Sequence, residues 1–334
     1  MPIRCDWGDM MKQKILISKR VPVTCLAPYE DAFIFTMPED DNAFSYDFIL
    51  HQLADYDGYF AIDAIADRSV FDAAKNLKAI ANFGVGYDRI DWKYATQLGI
   101  PVLNTPTQVT ESTAELTIAL ILSVMRGIAR YDKEVRQNIW LSPLFSDINT
   151  MVGGSTLGLI GFGRIGKSVA RKARGLGMEI IYFDQFRATE EVEQEYSATF
   201  YTFDEVLKKS DCISLHAPYV PENHHLFNAE TFSKMKPSAY FINAARGKLV
   251  DEAALCAALT SGVIKGAGLD VFENEPTVYE GLLALDNVVL TPHVASLTMR
   301  SRIAMCNEAL EGLTAVLKGN IPGNVVNPSV FEKK

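Results

Sequence analysis

The stretch TLGLIGFGRIGKSVARKARGLGMEIIYFD, residues 156–184, decides the reading of this chain. It opens on a short apolar run of the kind that forms a buried parallel strand. Gly161, Gly163 and Gly166 follow at GxGxxG spacing and lead into a segment with helical character. In such a loop the first glycine permits a tight turn and the second lets backbone approach a pyrophosphate. The third lets the helix pack close to the strand. The free N–H groups at the helix start then face the diphosphate. EIIYFD reads as the next strand, and its Asp184 stands where a carboxylate accepts hydrogen bonds from ribose hydroxyls. GxGxxG alone is a weak pattern, and the strand before, helix after and acid beyond give it weight. A carboxylate there repels a 2′-phosphate and so favours NAD(H) over NADP(H), although Arg187 is close enough in sequence to soften the preference. Read without a cofactor, Asp184 is a turn residue that ends a strand.

Working outward, the chain alternates strand-like and helix-like segments on both sides. KILIS, GYFAI, KAIANF and PVLN read as strands of a first series, with Ser45 and Ser69 as helix N-caps and Gly99 as a helix stop. Residues 110–130 read as one long helix, apolar on most faces and therefore buried. A second series follows, with strands in TLGLIG, EIIYFD, DCISL, AYFIN, KGAGLDV and NVVLT, and a last helix over about 298–318. Alternation of this kind defines an α/β architecture with parallel sheets. At 334 residues the chain exceeds what one core comfortably serves, so two βαβ domains are expected. One arrangement these helices allow is a second domain inserted into the first. Nothing before about residue 13 is periodic, and a poorly ordered arm is expected there.

Composition removes several classes of function. The chain carries a net charge of -9, which speaks against a nucleic-acid binder that would need a basic face. A local arginine still serves an anionic ligand, because charges are screened over roughly 8 Å. Five scattered cysteines without a CxxC pair suggest neither a disulfide framework nor a zinc site, and no metal is expected. The opening MPIRCDWGDM has no apolar signal core, and no stretch is an uninterrupted span of membrane length. A reduced, cytoplasmic compartment is the expectation.

Three residues in three separated stretches carry the chemistry. They are Arg246 in INAARGKLVDEAAL, Glu275 in GAGLDVFENEP and His293 in LTPHVAS, each after an apolar strand-like run. Ligands of open α/β sheets bind beyond the carboxyl ends of the strands. A guanidinium there anchors a carboxylate and polarises a neighbouring carbonyl. An imidazole exchanges a proton near neutral pH, and an acid beside it fixes the ring and stabilises imidazolium. Taken singly, Arg246 also reads as a surface ion pair, His293 as a helix-proximal cap and Glu275 as a turn acid before Pro276. In NFGVGYD, Gly84 and Gly86 allow an unusual turn whose N–H groups, at Val85 and Gly86, can receive a carboxylate, or simply a glycine-rich turn. The doublet His224–His225 reads as a solvated polar loop without nearby ligand partners. Met299, Phe33 and Phe35 read as core.

In this order and spacing, GLIGFGRIG, INAARGKLVDEAAL, GAGLDVFENEP and TPHVAS resemble the D-isomer-specific 2-hydroxyacid dehydrogenase family from about residue 14 onward. NFGVGYDRID makes the likeness strongest to its glyoxylate/hydroxypyruvate and 2-ketogluconate reductase branch. The resemblance implies two Rossmann-like domains. One is a discontinuous flavodoxin-like substrate domain over 14–109 and 299–334, after an arm over 1–13. The other is a central NAD-binding doubly wound sheet over 110–298 that includes a dimerisation helix and loop. It further implies NAD as cofactor, NADH before NADPH, a cleft between the domains and a homodimer. Carried onto this chain, it makes Arg246 the substrate arginine, His293 the acid/base and Glu275 its partner. It places Arg164 and Ile165 at the diphosphate and Asp184 at the ribose. His216, Ala217 and Pro218 lie along the cofactor, Asn223, Ala244 and Ala245 contact it, and Asp270 faces the nicotinamide carboxamide.

The implied reaction is reduction of a small 2-keto acid to the D-2-hydroxy acid, with no nucleic-acid or membrane partner. The alternatives are an enzyme like D-3-phosphoglycerate dehydrogenase and an NAD-sensing binding protein like the corepressors that share the fold. No regulatory domain after residue 330 and no Ser/Pro-rich tail are visible to favour either. A formate dehydrogenase is disfavoured because glutamate rather than glutamine stands at 275. Where the branch carries a tryptophan-containing segment, QNIWLSPLF offers Trp140, either a pocket residue or an aromatic of the dimer core.

Overall fold

The computed structural model describes residues 12–140 and 148–332. The expected arm therefore lies outside the described residues over 1–11, and the first strand begins at Gln13. The chain divides into two compact units, with breaks between Val109 and Thr110 and between Leu297 and Thr298.

The first unit holds a parallel sheet of β1 (Gln13–Ile17), β2 (Phe33–Thr36), β3 (Gly58–Ala61), β4 (Ala79–Asn82) and β5 (Val102–Leu103). Their order is β2-β1-β3-β4-β5, the flavodoxin-like winding. β2 adds a strand that sequence reading did not separate. Phe33 on it is buried, whereas Met299, expected in the core, is 72% exposed at the start of the last helix. Local caps follow side-chain chemistry. Ser45 accepts from the Phe48 N–H at 3.2 Å. The helix Arg68–Ala73 is capped by Asp67 instead of Ser69, because the Asp67 backbone is extended and its carboxylate accepts from Val70. Gly99, with φ of 73°, follows the helix Trp92–Gln97.

The chain returns to this sheet at its end. The helix Met299–Leu317 places Cys306, Ala309, Leu310 and Leu313 against Ile15, Ile17, Phe60, Ala79 and Ala81. Beyond it, Asn327 is 2% exposed and fastens the tail to the β5 edge. Its Oδ1 accepts from the Val102 N–H at 2.7 Å, and its Nδ2 donates to the Ile100 carbonyl and to Thr96 Oγ1.

The second unit holds seven parallel strands. They are β6 (Thr156–Ile160), β7 (Glu179–Phe183), β8 (Ala198–Phe200), β9 (Cys212–Leu215), β10 (Tyr240–Asn243), β11 (Gly266–Leu269) and β12 (Val288–Leu290). The order β12-β11-β10-β9-β6-β7-β8 is a dinucleotide-type double winding extended by one strand. Chain direction across the sheet reverses between β6 and β9. The single helix expected over 110–130 is instead two, Thr110–Arg126 and Ile128–Arg136. Gly127 separates them in the left-handed region at φ 65°, which glycine adopts without steric cost. Leu120, Ile121, Val124 and Met125 of the longer helix enter the core against β6, β10 and neighbouring strands. Among the described residues, no single helix is long and apolar enough to cross a membrane.

Asn327→Ala removes the partners of the buried Val102 N–H and Ile100 carbonyl. It should cost about 2–4 kcal/mol of stability, since each orphaned buried group costs ~1–3 kcal/mol. Urea unfolding reads this directly, and a loss below ~1 kcal/mol would mean that water replaces the asparagine at no net cost.

Candidate active site

The turn after β6 shows three glycines with three different tasks. Gly161 has φ of 98°, and a methyl group there would fall 2.7 Å from the His216 carbonyl carbon and 2.8 Å from Ala217 N. At Gly166 it would fall 2.4 Å from the Gly161 carbonyl oxygen. Both glycines are therefore demanded by protein packing. Gly163 is different, because a methyl group there would meet nothing within 4 Å. It is the N-cap of the helix Arg164–Gly175, and no side chain caps that helix. Open space in front of uncapped helix N–H groups fits a diphosphate. Arg164 is exposed and Ile165 half-buried at the same helix start.

At the end of β7, Asp184 is oriented by backbone. Its Oδ2 accepts from Phe162 N at 2.7 Å and its Oδ1 from Phe186 N at 3.1 Å. Arg187 is held in a two-pronged pair with Glu193, both contacts at 2.9 Å, and that hydrogen-bonded pairing raises the guanidinium pKa further. At the end of β9, His216 lies with Nε2 2.8 Å from Ser214 Oγ, and desolvation lowers its pKa to about 4, so the ring is neutral. Ala217 is half-buried and Pro218 exposed. Asn223 folds the following loop, accepting from Val220 N and donating to the Pro218 carbonyl, both at 2.8 Å. Together the glycine turn, the uncapped helix, Asp184 and the neutral His216 form a setting that a dinucleotide fits.

The chemical residues stand at the ends of β10, β11 and beyond β12. Asn243 closes β10 with its Oδ1 accepting from Ala245 N and its Nδ2 donating to the Arg246 carbonyl. This shapes the turn of Ala244, Ala245 and Arg246, and Arg246 Nη1 donates to the Ala245 carbonyl at 2.7 Å. Gly247 comes next. A methyl group on it would lie 1.9 Å from the Phe272 carbonyl carbon and 2.3 Å from Glu273 N. The arginine turn thus rests on the peptide that leads to Glu275, a contact that sequence reading missed. Its one sequence signal is a glycine directly after the arginine.

Asp270 ends β11 with no exposure. Its carboxylate accepts from Thr291 Oγ1 at 2.6 Å, Val294 N at 2.9 Å and Ala295 N at 3.0 Å, while its carbonyl accepts from His293 N at 2.8 Å. Burial raises its carboxyl pKa. In this structure Asp270 therefore builds the loop that presents His293. His293 itself adopts a left-handed backbone, φ 52°, and its Nδ1 lies 2.9 Å from Glu275 Oε2. The other Glu275 oxygen accepts from Phe272 N at 3.1 Å. With Nδ1 held by the carboxylate, Nε2 is left to exchange a proton.

In the first unit, the Gly84 backbone lies at φ 150°, and every carbonyl of the glycine turn is held. Asn82 Nδ2 donates to Gly84 and Gly86, Asn104 Nδ2 to Val85, and Thr105 N to Gly84. Among the described residues no acceptor engages the N–H groups of Val85 and Gly86. Two readings need correction or remain outside view. His224–His225 is not isolated, since His225 Nε2 lies 2.9 Å from Glu273 Oε1, a partner hidden by 48 residues of sequence. Trp140 is 83% exposed, and the residues after it, 141–147, lie outside the described residues.

A dinucleotide-type sheet with an arginine, an acid and an imidazole at consecutive strand ends defines a nicotinamide-dependent dehydrogenase. Comparison with known proteins carries this to a family. Residues 118–295 match the D-isomer specific 2-hydroxyacid dehydrogenase, NAD binding domain. A glyoxylate reductase from Thermococcus onnurineus (strain NA1) is 41% identical over 328 residues, spanning 96% of this chain and 98% of its own. The crystal structure of a glyoxylate reductase from Paecilomyes thermophila superposes with a TM-score of 0.85 at 30% identity, covering 95% of this chain and 99% of that one. An NADPH-dependent glyoxylate/hydroxypyruvate reductase from Sinorhizobium meliloti, solved with NADP and malonate, gives 0.83 at 32% identity, covering 97% and 99%. The chain belongs to the D-isomer-specific 2-hydroxyacid dehydrogenase family, in its glyoxylate reductase branch.

The glycines separate in a direct test. Gly161→Ala should lower stability by ~1–3 kcal/mol or more, as a strained backbone position does. Gly163→Ala should keep the wild-type melting temperature and weaken NADH binding by ~10-fold or more, equivalent to about 1.4 kcal/mol. If thermal unfolding showed both variants equally destabilised, Gly163 would be a packing glycine like its neighbour.

Proposed function

We propose that this protein reduces a small 2-keto acid of the glyoxylate or hydroxypyruvate type to the D-2-hydroxy acid, using NADH. The observation that carries the reading is the 2.9 Å contact between Glu275 and His293, on the turn against which the Arg246 loop is packed. When bound, the reduced nicotinamide supplies the hydride that goes to the keto carbon. Arg246 holds the substrate carboxylate and draws electron density from the carbonyl. His293 gives its Nε2 proton to the carbonyl oxygen, and Glu275 stabilises the imidazolium beforehand. In the first unit, the N–H groups of Val85 and Gly86 offer a second carboxylate site of the backbone type.

NADH is favoured over NADPH for two reasons. Asp184 presents a carboxylate where a 2′-phosphate would have to lie, and Arg187, the cation next to it in sequence, is engaged by Glu193. The chain is read as a homodimer because Ile128, Val135, Ile139, Trp140, Ile148 and Met151 are all exposed around the helix Ile128–Arg136. Among the described residues, the free thiols of Cys25, Cys212, Cys256 and Cys306 suit a reducing, cytoplasmic compartment.

NADH oxidation with glyoxylate, hydroxypyruvate, 2-ketogluconate and a branched 2-keto acid tests the reading. Turnover is expected with the smaller acids, and kcat/KM should be at least ~10-fold lower with NADPH. His293→Ala should lower kcat by ~10²–10⁴-fold with little change in KM, the range for loss of a general acid. Arg246→Ala should damage KM and kcat together. Unchanged kinetics in His293→Ala would remove it from the chemistry. Sedimentation velocity should give the mass of two chains, and Trp140→Asp should shift the population toward one.

A further inference from the structure

We propose that His224, His225 and Glu273 form a binding site for a divalent transition-metal ion of the zinc class. The ligand atoms of these three side chains lie within 4.8 Å of one another. His225 Nε2 is 2.9 Å and His224 Nε2 3.8 Å from the same carboxylate oxygen, Glu273 Oε1. A hydrogen bond accounts for His225, while the His224 ring meets Tyr219 edge-on and turns its Nε2 toward the same carboxylate oxygen. The two rings stack with centroids 3.9 Å apart and planes at 22°, so their Nε2 atoms turn toward one oxygen together. Ligands bound at about 2.0–2.1 Å to a tetrahedral ion stand roughly 3.4 Å apart, so closure needs side-chain shifts of about 1 Å. Two imidazoles and one carboxylate suit zinc, copper or nickel, with water completing the shell. Calcium and magnesium prefer oxygen ligands throughout.

The backbone around the cluster is already fixed. His225 holds a left-handed backbone at φ 52°, and its N–H donates to the Lys248 carbonyl at 3.0 Å. Glu273 N donates to Glu252 Oε1 at 2.7 Å. Glu252, Glu273 and Glu275 thus crowd one region. A cation at Glu273 relieves that crowding. It also ties the segment carrying His225 to the turn that leads to Glu275.

The test is calorimetric titration of tag-free protein with zinc chloride, alongside copper(II) electron paramagnetic resonance. One saturable zinc site is expected, with affinity falling at least ~10-fold in His224→Ala and in Glu273→Gln, since even outer partners of a metal contribute that much. The copper spectrum should show two nitrogen couplings in wild type and one in His224→Ala. His224 is largely exposed, so that variant should fold, and its melting temperature without zinc should match wild type. Zinc should raise the wild-type melting temperature and not that of His224→Ala. Absence of saturable binding would overturn the proposal. So would binding that survives in His224→Ala and is lost in His293→Ala, which would put the ion at the Glu275 pair.

Discussion

Gly247 lies so near the Phe272–Glu273 peptide that no side chain fits between them. That contact joins the turn after β10 to the turn after β11, and the rest of the candidate site depends on it. One step further, Asp270 at the end of β11 takes three hydrogen bonds from the loop that follows β12. Cation, acid and imidazole therefore come from three strands but share one frame. Their relative positions are fixed by backbone contacts and a buried carboxylate. Flexible side chains contribute little to it.

The cofactor half of the unit follows the same economy of means. Gly161 and Gly166 allow β6, its turn and the following helix to close on the end of β9. Gly163 contributes open space instead of contact. At the next strand, Asp184 is held in place by two N–H groups and Arg187 is turned to Glu193. The related NADPH-dependent reductase was solved with NADP on the same fold.

Much of this was legible because Arg246 and Glu275 come after the fully buried strands β10 and β11, and His293 comes after the apolar run of the half-buried β12. The central strands β6, β7, β9 and β10 are long or fully buried and announced themselves. β2 and β8 did not. Both are edge strands of three or four residues and only partly buried, too short to separate from the segments around them. Gly127 was hidden for the opposite reason, since the apolar pattern continues on both sides of it while the backbone turns away. Asp67 was passed over for Ser69 because both are good caps two residues apart. Gly247 and the His225–Glu273 pair lay beyond sequence reading altogether, because each depends on which strands become neighbours in the sheet. The family was reached through motif order, which records those neighbours indirectly, and the branch through NFGVGYDRID.

The first unit is assembled from both ends of the chain. Its sheet uses residues before Val109, yet one face of that sheet is covered by the helix Met299–Leu317, and β5 is sealed by Asn327. During synthesis on the ribosome, the first five strands emerge without their covering helix. The second unit, continuous in sequence, is complete before that helix has been made. Order of emergence and order of completion are thus reversed, against the usual N-terminal-first course of multidomain chains. The earliest part of the polypeptide to appear is the last to close its core, and it waits with apolar surface exposed while some 190 intervening residues are translated.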